Sequence, residues 1–198
     1  HIEKDLARRG IDLFPDQGRF VSSNTIEAGE QQITGDRIVI CTGATSRPLE
    51  FSGAEHITSS YQFFDLHSLP DRMVVIGGGY IAFEFAHLAI RAGVQVELLV
   101  RSDWCLKAFD PDLVRILVHY SQDLGIGIHF NAPVDHIHKQ SAGYLVSAGG
   151  GEVSIETDLI LHGAGRIPHV DGLDCHKGDV EVSQEGIVVN EYLQSVSN

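Results

Sequence analysis

The sequence has 198 residues, 27 acidic against 14 basic, for a formal net charge of −13. That balance excludes a nucleic-acid or anionic-membrane partner. With 43% apolar residues and no run of 18 of them, the chain reads as globular, with neither a membrane span nor a signal peptide. At this length about 70% of the unfolded surface can be buried, enough for a sizeable core in one or two domains.

Cys41, Cys105 and Cys175 are odd in number and widely spaced. No disulfide framework or zinc site is expected, and buried or inert thiols in a cytoplasmic chain fit the pattern.

The chain opens on His1 rather than Met, as expected of a start inside a longer protein or after a removed tag. Ile2 to Gly10 reads as a short helix around Leu6, with Gly10 as its terminator. Three β-type runs, Ile11–Phe14, Arg19–Val21 and Thr25–Glu27, alternate with the turn residues Asn24, Gly29 and Gly35, predicting a small antiparallel meander. Asp36 to Cys41 reads as a buried strand ending in Thr42-Gly43-Ala44. Ser46 to Pro70 has no strong period beyond a helical stretch near Ser60 to Leu66 and reads as a connector.

Met73 to Ile76 is a short apolar strand that runs into Gly77-Gly78-Gly79, and a helical pattern then continues to Gly93, placed as its C′ residue. This is G-x-G-x-x-A between a strand and a helix, with a second strand following at Val94 to Val100. The context makes it a dinucleotide-binding signature rather than a stray glycine run. Gly77 permits the tight turn, Gly79 leaves no side chain where a pyrophosphate approaches the backbone, and Ala82 lets the helix lie close on the sheet. The free amides and positive dipole end of the helix face the phosphates. Ile81, Phe85, Leu88 and Ala92 are expected to form its apolar face.

The end of the second strand selects the dinucleotide. An NAD site usually has Asp or Glu there, on the ribose 2′-hydroxyl. Here the strand ends Leu99-Val100-Arg101-Ser102-Asp103, so the first charge is Arg101, suited to a 2′-phosphate, with Lys107 as a second cation. The competing reading has Arg101 as a solvated charge and Asp103 on the ribose.

Asp110-Pro111 is a helix start, with Leu113, Val114, Leu117, Tyr120 and Leu124 as the apolar face and Gly125 as the stop. Ile126 to Phe130 is a third parallel strand. Val134 to Ile155 holds three alternating runs, broken at Ser141–Gly143 and Gly149–Gly151, and predicts a three-stranded meander where a simple doubly wound fold has a helix. His136 and His138 share a face of its first strand, but without a third ligand no metal site is expected. Asp158 to Leu161 is a buried strand leading into Gly163-Ala164-Gly165-Arg166-Ile167-Pro168. The last thirty residues are mostly loop, with a β-type run at Gly186 to Asn190.

Four stretches in this order, Ile38–Ala44 (IVICTGA), Gly77–Ala86 (GGGYIAFEFA), Leu99–Asp110 (LVRSDWCLKAFD) and Gly163–Pro168 (GAGRIP), resemble the pyridine nucleotide-disulfide oxidoreductase family, especially its glutathione reductase and mercuric reductase branch. The resemblance covers nearly the whole chain. It implies an α/β fold: a Rossmann-like NAD(P)-binding domain of parallel sheet plus three-stranded antiparallel meander, flanked by pieces of an FAD domain. Residues 1–50 are then a partial FAD domain, 51–69 a connector, 70–163 the NADP-binding domain and 164–198 a return toward the FAD domain. The family's N-terminal FAD fingerprint, redox-active C-x-x-x-x-C, later FAD-binding G-D motif and C-terminal His-Glu pair are not in this sequence, so the chain reads as a piece or an expressed domain, binding NADP(H) without turnover.

By the same resemblance, Tyr80 covers the nicotinamide pocket, and Glu84 pairs with a Lys near the flavin. Ile81 belongs to the same cofactor-binding turn. Arg101 and Lys107 hold the 2′-phosphate; Ser102 stands where some NADP-using members have His, and Lys107 where the second cation is Arg. Thr42 and Gly43 lie beside FAD, with Cys41 in place of Ala. Gly165 and Arg166 form the G-R-x-P turn near the cofactors, with His169 where Asn is frequent. No residue here is itself a catalytic acid, base or nucleophile. The implied whole protein is a cytoplasmic homodimer with FAD and dimerisation domains that uses NADPH to reduce a disulfide, thiol-related or metal substrate. The alternative is a stand-alone dinucleotide-binding or redox-sensing module.

Overall fold

The computed structural model describes residues 2–195 and falls into two compact units, one drawn from the chain up to Thr45 and from Ile167 onward, the other spanning Ser46–Arg166. In chain order the first stretch holds helix α1 (Ile2–Arg8) and strands β1 (Gly18–Ser22), β2 (Thr25–Ala28), β3 (Gln31–Thr34) and β4 (Ala44–Ser46). The middle holds α2 (Ser60–Phe64), β5 (Arg72–Ile76), α3 (Tyr80–Arg91), β6 (Gln95–Leu99), α4 (Pro111–Asp123) and β7 (Gly127–His129). It continues with β8 (Val134–Lys139), β9 (Tyr144–Ala148), β10 (Val153–Thr157) and β11 (Leu159–His162). The chain then adds β12 (Arg166–Pro168), β13 (Val182–Ser183) and β14 (Gly186–Ile187).

The middle unit has three layers. Its centre is a four-stranded parallel sheet in the order β11-β5-β6-β7. Alternation along β5 sends Met73 and Val75 to one face and Val74 and Ile76 to the other, and all four are buried. On the first face they meet Phe83, Phe85 and Ala86 of α3, Val114 of α4 and Phe63 of α2. On the second they meet Ile137, Val146 and Ala148 of the antiparallel meander β10-β9-β8. The α/β class and the meander are as expected from the sequence. Burying each of these aliphatic side chains contributes about 1.5–3 kcal/mol.

The helix ends follow their local chemistry. Asp110 caps α4 by accepting from the backbone N–H of Asp112 and Leu113, with Pro111 in the first turn. Gly93, at φ 93°, closes α3. Ser59 and Gln62 form a capping box on α2.

The apolar faces differ from expectation. The buried residues of α3 are Ala82, Phe83, Phe85, Ala86 and Ala89, whereas Leu88 is exposed and Ala92 is the exposed C-cap. Alanines carry little hydrophobic weight in a periodicity, yet their size is what lets the helix approach the sheet. On α4 the buried residues are Val114 and Ser121, whereas Leu113 is exposed and Tyr120 is half exposed against His87 of α3, because this helix covers the sheet with only a narrow stripe. Residues 51–69, read as a connector, are tied to both sheets: the Ser52 carbonyl accepts from Ile137 N–H of β8, the Thr58 N–H donates to the Ile160 carbonyl of β11, and His162 N–H donates to the Thr58 carbonyl.

In the other unit β1, β2 and β3 form the expected antiparallel meander, but its third strand is Gln31–Thr34 and not Ile11–Phe14. Gln31 to Thr34 has almost no apolar signal; it pairs because the turn at Gly29 returns it onto β2. Ile11 to Phe14 is irregular and exposed. Asp36 to Cys41 is likewise neither a strand nor buried, with Val39 82% exposed, because no described strand pairs with it. Gly186 to Asn190 is a strand only over β14. Phe20, Cys175 and Val180 make a small core. Among the described residues no helix is long and apolar enough to cross a membrane.

Candidate dinucleotide site

The site lies at the C-terminal ends of β11, β5 and β6, where the parallel strands deliver three loops side by side. At the middle one, Gly77 has φ 131°, and its N–H donates to the Leu99 carbonyl at 2.9 Å, tying the β5 turn to β6. A Cβ on Gly77 would stand 2.1 Å from the Gly163 carbonyl oxygen, and one on Gly163 would stand 2.7 Å from the Ala82 Cβ. Turn, helix and β11 loop therefore close on one another through small residues. Gly79 differs: a Cβ there meets nothing nearer than 4.0 Å, so its open side faces the cavity. It is the N-cap of α3 and no side chain caps the helix, leaving the first-turn N–H groups to whatever occupies the cavity.

The loop after β6 is anchored to the same turn. Leu106 is buried and its N–H donates to the Gly78 carbonyl at 2.7 Å. The Ser102 hydroxyl donates to the Trp104 carbonyl at 2.8 Å, and the Ser102 carbonyl accepts from Asn131 N–H. These bonds hold Arg101 and Lys107 at the rim.

The resulting cavity has a volume of about 500 Å³. Gly77, Gly79, Tyr80, Arg101, Ser102, Lys107 and Gly165, all singled out in the sequence, line it. Ile81 and Ala82 do not; they pack the first turn of α3 against the core. Glu84 is exposed one turn along. Arg166 is also outside the lining, since its guanidinium donates to the Tyr61 hydroxyl at 3.0 Å and stacks over that ring at 5.3 Å. Thr42 and Gly43 are exposed and belong to the other unit.

Sequence reasoning missed Arg47, Phe51, Trp104 and Phe109, which also line the cavity. A cation beside Pro48 in an acidic chain was the available signal for Arg47. The lining includes Arg47, Arg101 and Lys107 but no Asp or Glu, although the chain carries 27 acids; Asp103 is not part of it.

The thiols lie elsewhere in function. Burial pushes the Cys105 and Cys175 thiols up, away from reactive thiolates. Cys41 is exposed, and all three cysteines are free. His136 and His138 are exposed on β8, and no group of three metal-ligating side chains occurs among the described residues.

A family model described as pyridine nucleotide-disulphide oxidoreductase matches residues 1–198. The chain is 32% identical to the soluble pyridine nucleotide transhydrogenase of Mycobacterium bovis, over 98% of this chain and 43% of that protein. It is 33% identical to the glutathione reductase of Nostoc sp., over 96% of this chain and 44% of that protein. The HOCl-induced flavoprotein disulfide reductase RclA of Escherichia coli superposes with a TM-score of 0.91 at 25% identity, over 98% of this chain and 46% of that one. The chain thus spans less than half the length of these relatives.

Proposed function

The chain belongs to the pyridine nucleotide-disulphide oxidoreductase family, and we propose that residues 46–166 hold NADP(H) for an FAD-dependent reductase of which this chain is the nucleotide-binding part. The observation that carries the reading is the lining of the cavity, in which Arg101 and Lys107 stand where an NAD site has a carboxylate. The open face of Gly79 and the uncapped start of α3 suit a diphosphate. When bound, the dinucleotide supplies a hydride that a flavin can accept.

The residues of this chain bind and orient. Gly77 sets the turn, Gly79 and the first amides of α3 receive the diphosphate, and Arg101 and Lys107 take the 2′-phosphate. Tyr80, 56% exposed at the cavity edge, covers the nicotinamide side, with Glu84 one turn behind it. Gly165 borders the site, Arg166 leads out of it, and Thr42 and Gly43 contribute to the flavin side of the whole protein. That protein, cytoplasmic and dimeric in this reading, would pass electrons to a disulfide, thiol-related or metal acceptor.

The test is calorimetric titration of the chain with NADPH and NADH, repeated on Arg101→Ala. NADPH binding at least tenfold tighter than NADH, lost in the variant, supports the reading. Equal binding of the two nucleotides overturns the NADP assignment, and no binding of either overturns the site.

A further inference from the structure

Arg47 lines the cavity from the side opposite Arg101. The strand order makes this plain: β5, carrying the glycine turn, has β11 on one side and β6 on the other. Arg101 follows β6, and Arg47 is fastened to the loop that follows β11. Its N–H donates to the Gly165 carbonyl at 3.0 Å, and its carbonyl accepts from His162 Nε2–H at 2.9 Å. His162 is itself 9% exposed at the end of β11, so this backbone is held from two directions by the rigid sheet. The Arg47 Nε lies 3.9 Å from where a Cβ on Gly165 would stand.

Its side chain, by contrast, is uncommitted. It is exposed, and among the described residues the guanidinium has no hydrogen-bond or ion-pair partner, in a chain with almost twice as many acids as bases. A fixed backbone with an unspent planar cation at the mouth of an acid-free cavity is the arrangement that receives a phosphate.

Resting on the dinucleotide reading above, we infer that Arg47 is a specificity-determining residue that grips the diphosphate bridge from the β11 side. The diphosphate over Gly77–Gly79 is then flanked by Arg47 on one side, while Arg101 and Lys107 serve the 2′-phosphate on the other. The strands flanking β5 lie about 10 Å apart, which separates the two roles in space. Arg47 consequently acts on any ligand with a diphosphate, whether or not it carries a 2′-phosphate.

The experiment compares the unaltered chain with Arg47→Ala and Arg47→Lys, titrated with NADPH, ADP-ribose and adenosine 2′-monophosphate. Since Arg47 is exposed, the variants should melt as the parent does, which circular dichroism checks. Arg47→Ala should weaken NADPH and ADP-ribose about tenfold and leave adenosine 2′-monophosphate within twofold. Arg47→Lys should fall between, keeping the charge but losing the fork. Unchanged NADPH binding by Arg47→Ala overturns the Arg47 assignment alone, as does an equal loss for adenosine 2′-monophosphate. Failure of the unaltered chain to bind NADPH overturns the dinucleotide reading and this assignment with it.

Discussion

Gly77 and Gly163 meet backbone to backbone, with room at position 77 for a hydrogen and nothing larger: a Cβ would lie 2.1 Å from the Gly163 oxygen. Two glycines two positions apart in the turn, 77 and 79, therefore have different reasons to be glycine. Gly77→Ala forces a side chain into φ 131° and into backbone, costing about 3 kcal/mol or more of stability. Gly79→Ala has φ −92° and open space, so the fold should survive while the methyl group occupies the phosphate approach. Melting curves and NADPH titration separate them. A Gly77→Ala chain melting like the parent would show that the contact is not tight, and a Gly79→Ala chain with full affinity would remove the phosphate from this turn.

Arg101 and Lys107 should act on one nucleotide and not the other. Each alanine variant removes a charge-assisted hydrogen bond worth about 1.5–3 kcal/mol, about 10- to 100-fold in NADPH affinity, with NADH held within threefold. Because both side chains are exposed, the NADPH preference should also shrink as ionic strength rises. Parallel losses for NADPH and NADH would mean that these cations raise the general potential and do not read the 2′-phosphate.

The parallel core, the glycine turn and the meander were legible because each follows a short-range rule: continuous apolar strands, G-x-G-x-x-A between strand and helix, and alternation broken by Gly triplets. The errors fall where partners outside the local stretch decide. Gln31–Thr34 has little apolar pattern and becomes a strand through its hairpin, while Ile38-Val39-Ile40 has the pattern and stays irregular without a neighbouring strand. At the site, Arg101 and Lys107 could be found by their distance past the glycines. Arg47 had only the weak signal of a cation beside Pro48, since it enters through pairing with Gly165, 118 positions along the numbering, and with the buried His162.

Asp158 joins β11 to the start of β5: its carboxylate accepts from the Arg72 N–H at 2.9 Å and from the Arg72 guanidinium at 2.8 Å. The guanidinium hydrogen bond holds the Asp158 carboxyl below the usual carboxylate range. A depressed carboxylate contributes stability that is present above its unfolded value of about 3.9 and is lost as pH falls through the lower folded value. Both side chains are about a third exposed, so solvent screening keeps the effect modest. Asp158→Asn should melt below the parent at pH 7, and the gap should narrow on acidification below about pH 4 as the parent's carboxyl protonates. A gap independent of pH would assign the effect to the backbone hydrogen bond alone.

His87 carries the clearest pH dependence in the fold. The Ser121 hydroxyl donates to the Leu117 carbonyl at 2.7 Å, so toward His87 it can only accept, and His87 Nε2–H must be the donor of that 2.8 Å bond. The other ring nitrogen lies 2.7 Å from the Arg91 guanidinium and must therefore accept. Both nitrogens are committed with a single proton between them, which fixes the neutral tautomer and ties α3 to α4. Burial first, and the Arg91 charge second, hold the His87 pKa below its ordinary value. The unfolded chain thus takes up a proton near pH 6.5 that the folded chain refuses. The contribution is complete above about pH 6.5 and declines as pH falls toward the lower folded value. Protonation would set a second N–H against the arginine and open the link between the helices. His87→Gln can keep a donor toward Ser121 and an acceptor toward Arg91 without titrating. Its melting temperature should match the parent's near pH 7.5 and exceed it near pH 5.5, whereas Ser121→Ala, which strands the imidazole N–H, should lose about 1–3 kcal/mol even at pH 7.5. If His87→Gln and the parent decline together through this range, the imidazole already titrates freely, and the hydrogen-bonded chain from Arg91 to Leu117 does not hold it neutral.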